Sequence, residues 1–263
     1  MTELALAPLD VSAFTTVSLD EVVTEAAAMV RVDRKYLVGR EVVDELLPRL
    51  GAGFRALSVA GRSSTSYRST YFDTADLTTA RAHLQRRRRR WKVRSRLYVE
   101  DGLCRIEVKT RDGRGATVKT VAESTSGRYG VLGGADAAFV SEVLEARGVD
   151  ADVRGLHPTM EVTYRRSTLA DTANATRVTL DWQVACRLDG DRVWLDDATV
   201  LVETKGVHRL GVADRVLADL GVRPRSFSKY ASAASILRAD LADNDVRALH
   251  GRHLHSARLV VAG

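Results

Sequence analysis

Cysteine is nearly absent. Cys104 and Cys186 are the only two in 263 residues, too few for a disulfide framework or a zinc site. They are expected to be buried thiols of a protein kept in a reducing compartment. The six histidines show no metal-ligand spacing. His250, His253 and His255 cluster near the C-terminus, where a loose tail is the plainer reading. No run of 18 or more apolar residues occurs, so no helix is expected to span a membrane. The N-terminus lacks a basic segment followed by an apolar core, so no signal peptide is expected and the default location is cytoplasmic. Neither an internal repeat nor an obvious linker interrupts the chain. One domain over residues 29–240 is the simplest organisation, with an N-terminal tail at 1–28 and a C-terminal tail at 241–263.

Apolar residues and charge are plentiful. Hydrophobic residues make up 45%, enough for a sizeable core, and charged residues 28%. Lys plus Arg exceed Asp plus Glu by 40 − 34 = 6. A basic balance points to anionic partners: nucleic acid, phosphorylated small molecules or an acidic membrane surface. Composition does not choose among them.

Hydrophobic periodicity and turn signals predict an α+β chain rich in strands. Strands are expected at 31–38, 67–72, 91–99, 103–110, 116–122, 159–169, 176–188, 192–195 and 199–206. Helical spacing runs through 40–50, 77–85, 135–147, 212–220 and 228–249, with one short helix in the N-terminal tail. Asp73-Thr-Ala-Asp76 has the character of a turn and helix cap. Glu100-Asp-Gly102 and Arg111-Asp-Gly-Arg-Gly115 carry hairpin signals.

The informative feature is what alternates. Successive side chains of a strand point to opposite faces. In residues 91–99 one face holds Lys92, Arg94, Arg96 and Tyr98, and the other Trp91, Val93, Ser95, Leu97 and Val99. Arg105, Glu107 and Lys109 oppose Cys104, Ile106 and Val108. Arg177, Thr179 and Asp181 oppose Val178, Leu180 and Trp182; Glu203 and Lys205 oppose Val202 and Thr204. Any one of these strands could belong to a sheet with a wet face. Their sum is less ordinary, because like charges side by side on a sheet repel. Closing the sheet into a barrel, with the apolar face outward under helices, gives a cationic bore suited to a polyanion. Arg suits phosphate through its planar fork. Glu107 and Glu203 each stand two residues before a lysine. A carboxylate facing such a bore either pairs with neighbouring Arg or Lys, or holds Mg²⁺ or Mn²⁺ against phosphate oxygens. Both roles stay open.

Lys35-Tyr36, Tyr71-Phe-Asp-Thr74, Lys92-Val-Arg-Ser-Arg96, Glu107-Val-Lys109, Tyr164-Arg-Arg166, Arg177-Val-Thr-Leu-Asp181, Glu203-Thr-Lys205 and Ser228-Lys-Tyr230 form an ordered set. The set resembles the VTC domain, the catalytic domain of the vacuolar transporter chaperone complex and its bacterial relatives, within the triphosphate tunnel (CYTH-like) superfamily. It covers residues 31–237. The resemblance implies a closed antiparallel eight-stranded β-barrel, the triphosphate tunnel, with flanking helices. It implies synthesis of inorganic polyphosphate from the γ-phosphate of ATP with Mn²⁺ or a similar divalent cation such as Mg²⁺. Arg94 and Arg96 would grip phosphates, Lys109, Lys119, Arg166 and Arg177 would line the same path with Lys92, and Lys35, Lys205 and Lys229 would complete its ends. Glu203 would hold the metal, with Glu107 a second candidate. The same residues would serve a triphosphatase or polyphosphatase, or a non-catalytic polyphosphate or nucleotide sensor. Eukaryotic members work beside membrane segments that receive the product; here a membrane partner would be a separate protein.

The chain departs from the family pattern at three places. Asp33 stands where relatives often have Glu. Arg225 is one residue out of register with an expected lysine. Arg165 and Arg166 are adjacent, so alternation alone could turn either inward. The run Arg86-Arg-Arg-Arg-Arg90 lies just outside the predicted strands. It reads as a solvated basic turn, as a landing patch for polyphosphate, or as a nucleic-acid patch; sparse aromatics nearby weigh against the last, and no specific nucleic acid is expected.

Overall fold

The computed structural model describes residues 8–24, 32–206, 210–242 and 244–259. Arg31, which opens the first predicted strand, lies outside the described residues, as do 25–30 and the chain ends 1–7 and 260–263 within the predicted tails. In chain order the elements are β1 (Thr16–Val17), α1 (Leu19–Thr24), β2 (Val32–Gly39), α2 (Arg40–Leu46), β3 (Arg55–Leu57), β4 (Thr65–Asp73), α3 (Thr78–Leu84), β5 (Arg90–Tyr98), β6 (Leu103–Arg111) and β7 (Thr117–Ser124). They continue with α4 (Ala135–Glu145), β8 (His157–Asp171), β9 (Thr176–Leu188), β10 (Asp191–Leu195), β11 (Thr199–Gly206), α5 (Val212–Asp219), α6 (Lys229–Leu237) and β12 (Leu254–Ala257). Among the described residues no helix is long and apolar enough to cross a membrane.

The strands pair in the order β12-β10-β9-β8-β4-β5-β6-β7, with β11 on β9, β2 on β11, β3 on β8 and β1 on β3. This corrects the expected closed eight-stranded barrel. The sheet has 12 strands, and among the described residues its hydrogen bonds do not close it into a ring. Eight strands are at least eight residues long, and four (β1, β3, β10 and β12) have two to five residues. Of these short strands only β10 carried a period-2 signal; the others are too brief or too irregular for one. Among the described residues β7 pairs with β6 alone. Its alternately exposed face, carrying Lys119 and Glu123, is the charged edge that discourages a further strand.

The described residues fall into two compact units: one from Met1–Thr65, Arg165–Gln183 and Leu195–Ser226, the other from Ser66–Tyr164, Val184–Trp194 and Phe227–Gly263. In the first unit, Tyr36 and Val38 on β2, Val200 and Val202 on β11, and Val178, Leu180 and Trp182 on β9 form one buried face. Val43 and Leu46 of α2 and Ala213 and Leu217 of α5 cover it. Each such fully buried aliphatic side chain contributes about 1.5–3 kcal/mol relative to exposure. The helix expected over 40–50 stops at Leu46 and tightens into a 3-10 turn at Leu47–Arg49, because Pro48 has no N–H to continue the α-helical ladder. Asp214 fixes α5 to the sheet. Its buried carboxylate accepts from Tyr36 Oη at 2.8 Å, Thr204 Oγ1 at 2.6 Å, Gly211 N at 2.9 Å and Arg34 Nη1 at 3.2 Å.

In the second unit, Phe72 on β4, Val93 on β5, and Ile106 and Val108 on β6 pack under Val140 and Leu144 of α4. Asp73, fully buried at the end of β4, is a cap. It accepts from the backbone N–H of Thr79 at 2.9 Å and Ala80 at 3.0 Å, and from Thr79 Oγ1 at 2.7 Å. Those amides open α3 and would otherwise lack partners. Tyr230 of α6 donates to the same carboxylate at 2.5 Å. The helix expected to run to Leu249 stops at Leu237. Three Asp and one Asn within 238–245 compete for backbone groups and favour turns. The chain beyond is packed rather than loose: Leu241, Val246, Leu249 and Leu254 are buried, His255 lies 5.9 Å from Trp194, and His250 Nε2 is 3.0 Å from Ser256 Oγ.

Candidate functional site

The register of β5, β6 and β7 assembles the charged face of the second unit. Arg90 is opposite Arg111, Lys92 opposite Lys109, Arg94 opposite Glu107, and Arg96 opposite Arg105. Lys109 is opposite Lys119, Glu107 opposite Val121, and Arg105 opposite Glu123. Opposed residues share a face. That face therefore carries eight cations (Arg90, Lys92, Arg94, Arg96, Arg105, Lys109, Arg111, Lys119) and two carboxylates (Glu107, Glu123), a formal 8 − 2 = +6. Four of the pairs set like charges directly opposite each other. The reverse face holds Val93, Ile106 and Val108, all fully buried under α4.

Glu107 is the hinge of this charge distribution. It is 2% exposed. Arg94 donates to its Oε2 from Nε at 2.8 Å and also from Nη2, Arg96 Nη1 stands 3.6 Å from Oε1, and Lys119 Nζ 3.5 Å from Oε1. Burial pushes the Glu107 carboxyl up, but the charges of Arg94, Arg96 and Lys119 overcome this and hold it well below its usual range. Oε1 itself is buried without a hydrogen bond. Tyrosines steady the cations from the other side. Arg94 Nη1 donates to Tyr71 Oη at 2.8 Å, and Tyr71 stacks on Tyr230 at 4.7 Å. Arg96 lies 5.2 Å over Tyr67, which stacks on Tyr164 at 5.0 Å. Lys229, the first residue of α6, lies 4.3 Å over the Tyr164 ring. Ser228 caps α6 and accepts from Lys92 Nζ at 3.0 Å.

The first unit has a second charged face, opposite its apolar core. Glu203 pairs in register with Lys35 and Thr179, and Lys205 with Asp33 and Arg177. Lys35 Nζ is 3.2 Å and Lys205 Nζ 3.7 Å from Glu203 Oε1. Arg166 forms a two-point pair with fully buried Asp181, Nε to Oδ1 at 2.5 Å and Nη2 to Oδ2 at 2.8 Å. Arg165 turns the other way, its guanidinium 5.7 Å over Trp182 and Nη2 donating to Ser64 at 3.0 Å. The adjacent arginines are thereby told apart. Arg177 Nη2 reaches the Val22 carbonyl at 3.2 Å. Arg225 meets Lys35 through the backbone, its N–H donating to the Lys35 carbonyl at 2.7 Å.

Metal ligation can be tested against these surroundings. Both candidate carboxylates already carry cations: Arg94, Arg96 and Lys119 stand at Glu107, and Lys35 and Lys205 at Glu203. Glu203, with two lysines beside it rather than three cations, is the better suited of the two, since Mg²⁺ and Mn²⁺ sites often take one or two carboxylates and complete their shell with phosphate and water oxygens. Among the described residues no group of three or more His, Cys, Asp or Glu could hold a metal by itself, so an ion at Glu203 would depend on the phosphates of its substrate.

The VTC domain matches residues 30–238 of this sequence. The chain belongs to the VTC domain family. Solved structures of similar fold include a candidate adenylate cyclase from Bacillus halodurans (15% identity, 73% of this chain and 87% of that one, TM-score 0.43). A protein from Pyrococcus horikoshii matches at 12% identity over 76% and 97% of the two chains with a TM-score of 0.43. A candidate adenylyl cyclase from Hippeastrum, described as having a dominant triphosphatase activity, matches at 14% identity over 78% and 96% with a TM-score of 0.47. No curated protein matches the chain.

Within this VTC domain the structure gathers Lys92, Arg94, Arg96, Glu107, Lys109, Lys119 and Lys229 in the second unit, and Lys35, Arg166, Arg177, Glu203 and Lys205 in the first. Three cations escaped the sequence reading. Arg90 is the first residue of β5 rather than the end of an external run, and Arg111 is the last residue of β6. Arg105 stood on the charged face but was not singled out. Continuing the alternation Arg94-x-Lys92 by one step back finds Arg90. No signal of that kind announces the paired tyrosines, which come from two different strands and a helix.

Proposed function

We propose that this VTC domain is a metal-dependent phosphotransferase that makes inorganic polyphosphate from ATP. The observation that carries the reading is the set of four like-charged cross-strand pairs on β5, β6 and β7. Each such pair disfavours the sheet by roughly 0.2–1 kcal/mol, and a chain of phosphates laid on this face converts that repulsion into attraction. Arg94 and Arg96 present planar forks already oriented by Tyr71, Ser69 and Glu107. In the proposed reaction a terminal phosphate oxygen of the growing chain attacks the γ-phosphorus of ATP. The bond from that phosphorus to the β,γ-bridging oxygen breaks, and ADP leaves with the electron pair. The protein's share is positioning and charge stabilisation rather than covalent chemistry. A bound Mn²⁺ or Mg²⁺, held by Glu203, would neutralise charge on phosphate oxygens.

The test is incubation of the purified protein with ATP and Mn²⁺, followed by analysis for long-chain polyphosphate, ADP and free phosphate. Long chains with equivalent ADP support synthesis. Free phosphate alone assigns the same groups to hydrolysis, and tight polyphosphate binding without turnover assigns them to sensing; either result overturns the polymerase. Arg94→Ala should weaken tripolyphosphate binding by about 100-fold, with Arg94→Lys intermediate. Glu203→Ala should keep binding and lose metal-dependent turnover. Normal binding by a folded Arg94→Ala variant would overturn the assignment of this face.

A further inference from the structure

The Arg86–Arg90 run does not float free of the charged face. α3 ends in a backbone motif in which the Arg87 N–H bonds the Ala82 carbonyl at 3.0 Å and the Arg86 N–H the His83 carbonyl at 3.1 Å. Arg86 adopts the left-handed conformation that this ending requires, φ 53°. Arg86 is then held by Asp245 at 2.6 Å, and Arg90 enters β5 with Nη1 donating to the Arg87 carbonyl at 2.7 Å. Arg87, Arg88 and Arg89 are thus presented, exposed, on a backbone fixed at both ends.

The β6–β7 turn lies against this run. Arg89 Nε comes within 3.7 Å of where a Cβ on Gly113 would stand, and Arg111 Nη2 within 3.3 Å of the same point on Gly115. Arg111 and Arg114 are exposed. Asp112, the one acid of the turn, accepts at Oδ1 from the backbone N–H groups of Arg114 and Ala116 at 2.9 Å each. Six arginines therefore meet at one end of β5, β6 and β7. Arg90 and Arg111 stand one step along the strands from Lys92 and Lys109, so the cations continue without a break onto the charged face.

We infer that Arg87, Arg88, Arg89, Arg90, Arg111 and Arg114 form a landing site for inorganic polyphosphate longer than a triphosphate. The inference rests on the reading that the β5–β7 face binds phosphate. A track of cations from Arg96 to Arg90 covers about 20 Å of strand, and the arginine cluster extends it past the end of the sheet. A linear phosphate chain fits this surface better than nucleic acid does. Base stacking needs exposed aromatic rings, and the neighbouring Trp91 is packed against the apolar core on the opposite face.

Binding of tripolyphosphate, long-chain polyphosphate and a single-stranded oligonucleotide would be measured by calorimetry for the full chain and for the triple variant Arg88→Ala, Arg89→Ala, Arg114→Ala. These three residues are exposed, and circular dichroism would confirm that the variant is folded. The expected result is unchanged tripolyphosphate binding and about tenfold weaker binding of the long chain, with most of the loss restored by lysine at the three positions. Equal affinity of variant and parent for the long chain would overturn the landing site while leaving the β5–β7 reading intact. An oligonucleotide that bound the parent as tightly as polyphosphate, and lost as much in the variant, would make the patch a nucleic-acid surface instead. Failure of the parent to bind tripolyphosphate would remove the underlying reading and the landing site with it.

Discussion

Glu107→Gln separates the structural use of the cationic face from its use for phosphate. The substitution keeps the shape of the side chain and an acceptor oxygen, and removes one negative charge from a site 2% exposed. Arg94 and Arg96 are 23% and 8% exposed and feel that loss with little screening, whereas Lys119 at 52% is largely screened. Taking one partner from a buried pair costs about 3–5 kcal/mol; the retained acceptor and the exposed lysine place this case at the lower end, about 3 kcal/mol. If the carboxylate and phosphate compete for the same cations, the variant should bind tripolyphosphate about tenfold more tightly, as expected for an unscreened unit charge at the edge of a site. Urea denaturation with and without tripolyphosphate reads both quantities. The anion should restore more stability to the variant than it adds to the parent, by about 1.4 kcal/mol at matched excess. Weaker binding by a folded variant would refute the reasoning, and would mean that Glu107 serves mainly to aim Arg94.

Acid should move the same balance. A carboxyl depressed in the folded protein contributes stability that is fully present above its unfolded value, near 4.5, and lost as pH falls toward the folded one. Below pH 4.5 the parent should therefore lose the Glu107 contribution and the gap to Glu107→Gln should narrow, as followed by denaturation at stepped pH. Asp214→Ala should destabilise the first unit by about 3–5 kcal/mol, since buried Tyr36 and Thr204 hydroxyls lose their shared acceptor; a urea-measured loss below about 1 kcal/mol would contradict the anchoring role of that carboxylate. Cys104 and Cys186 are buried and free, and burial pushes the Cys186 thiol up to about 12. Neither should react with a thiol reagent until the chain unfolds.

Much of the fold was legible because each long strand carries its own two-residue period. The strands 176–188 and 199–206 were bounded to the residue, since a face of Val, Leu and Trp alternates with a face of Arg, Thr and Asp along 176–188 and the period stops at each end. Charge on the other face was legible for the same reason, and with it Arg94, Arg96 and Lys109. Pairing was harder. Opposition of Lys92 to Lys109 and of Lys109 to Lys119 depends on turn lengths, and one residue of slippage would have paired different charges. Closure was beyond the pattern altogether, because alternation says which face is wet and not whether the last strand meets the first.

The carboxylates explain why the site was only half visible. The sequence marks Asp73 as part of a helix cap and Asp181 as a residue on a polar face, and carries no signal that singles out Asp214. In the structure each is buried and gathers donors from distant parts of the chain: Asp73 from α3 and Tyr230, Asp181 from Arg166, Asp214 from β2 and β11. A buried carboxylate is stable only where several donors converge, and convergence is a property of topology rather than of spacing. The ordered tyrosines follow the same rule. Tyr36 and Tyr230 direct their hydroxyls to Asp214 and Asp73, and Tyr71 receives Arg94 while stacking on Tyr230. The cations that would meet phosphate are thus aimed by groups whose own positions are set by helix caps, so a change at Asp73 should reach Arg94 through Tyr230 and Tyr71 without touching the charged face directly.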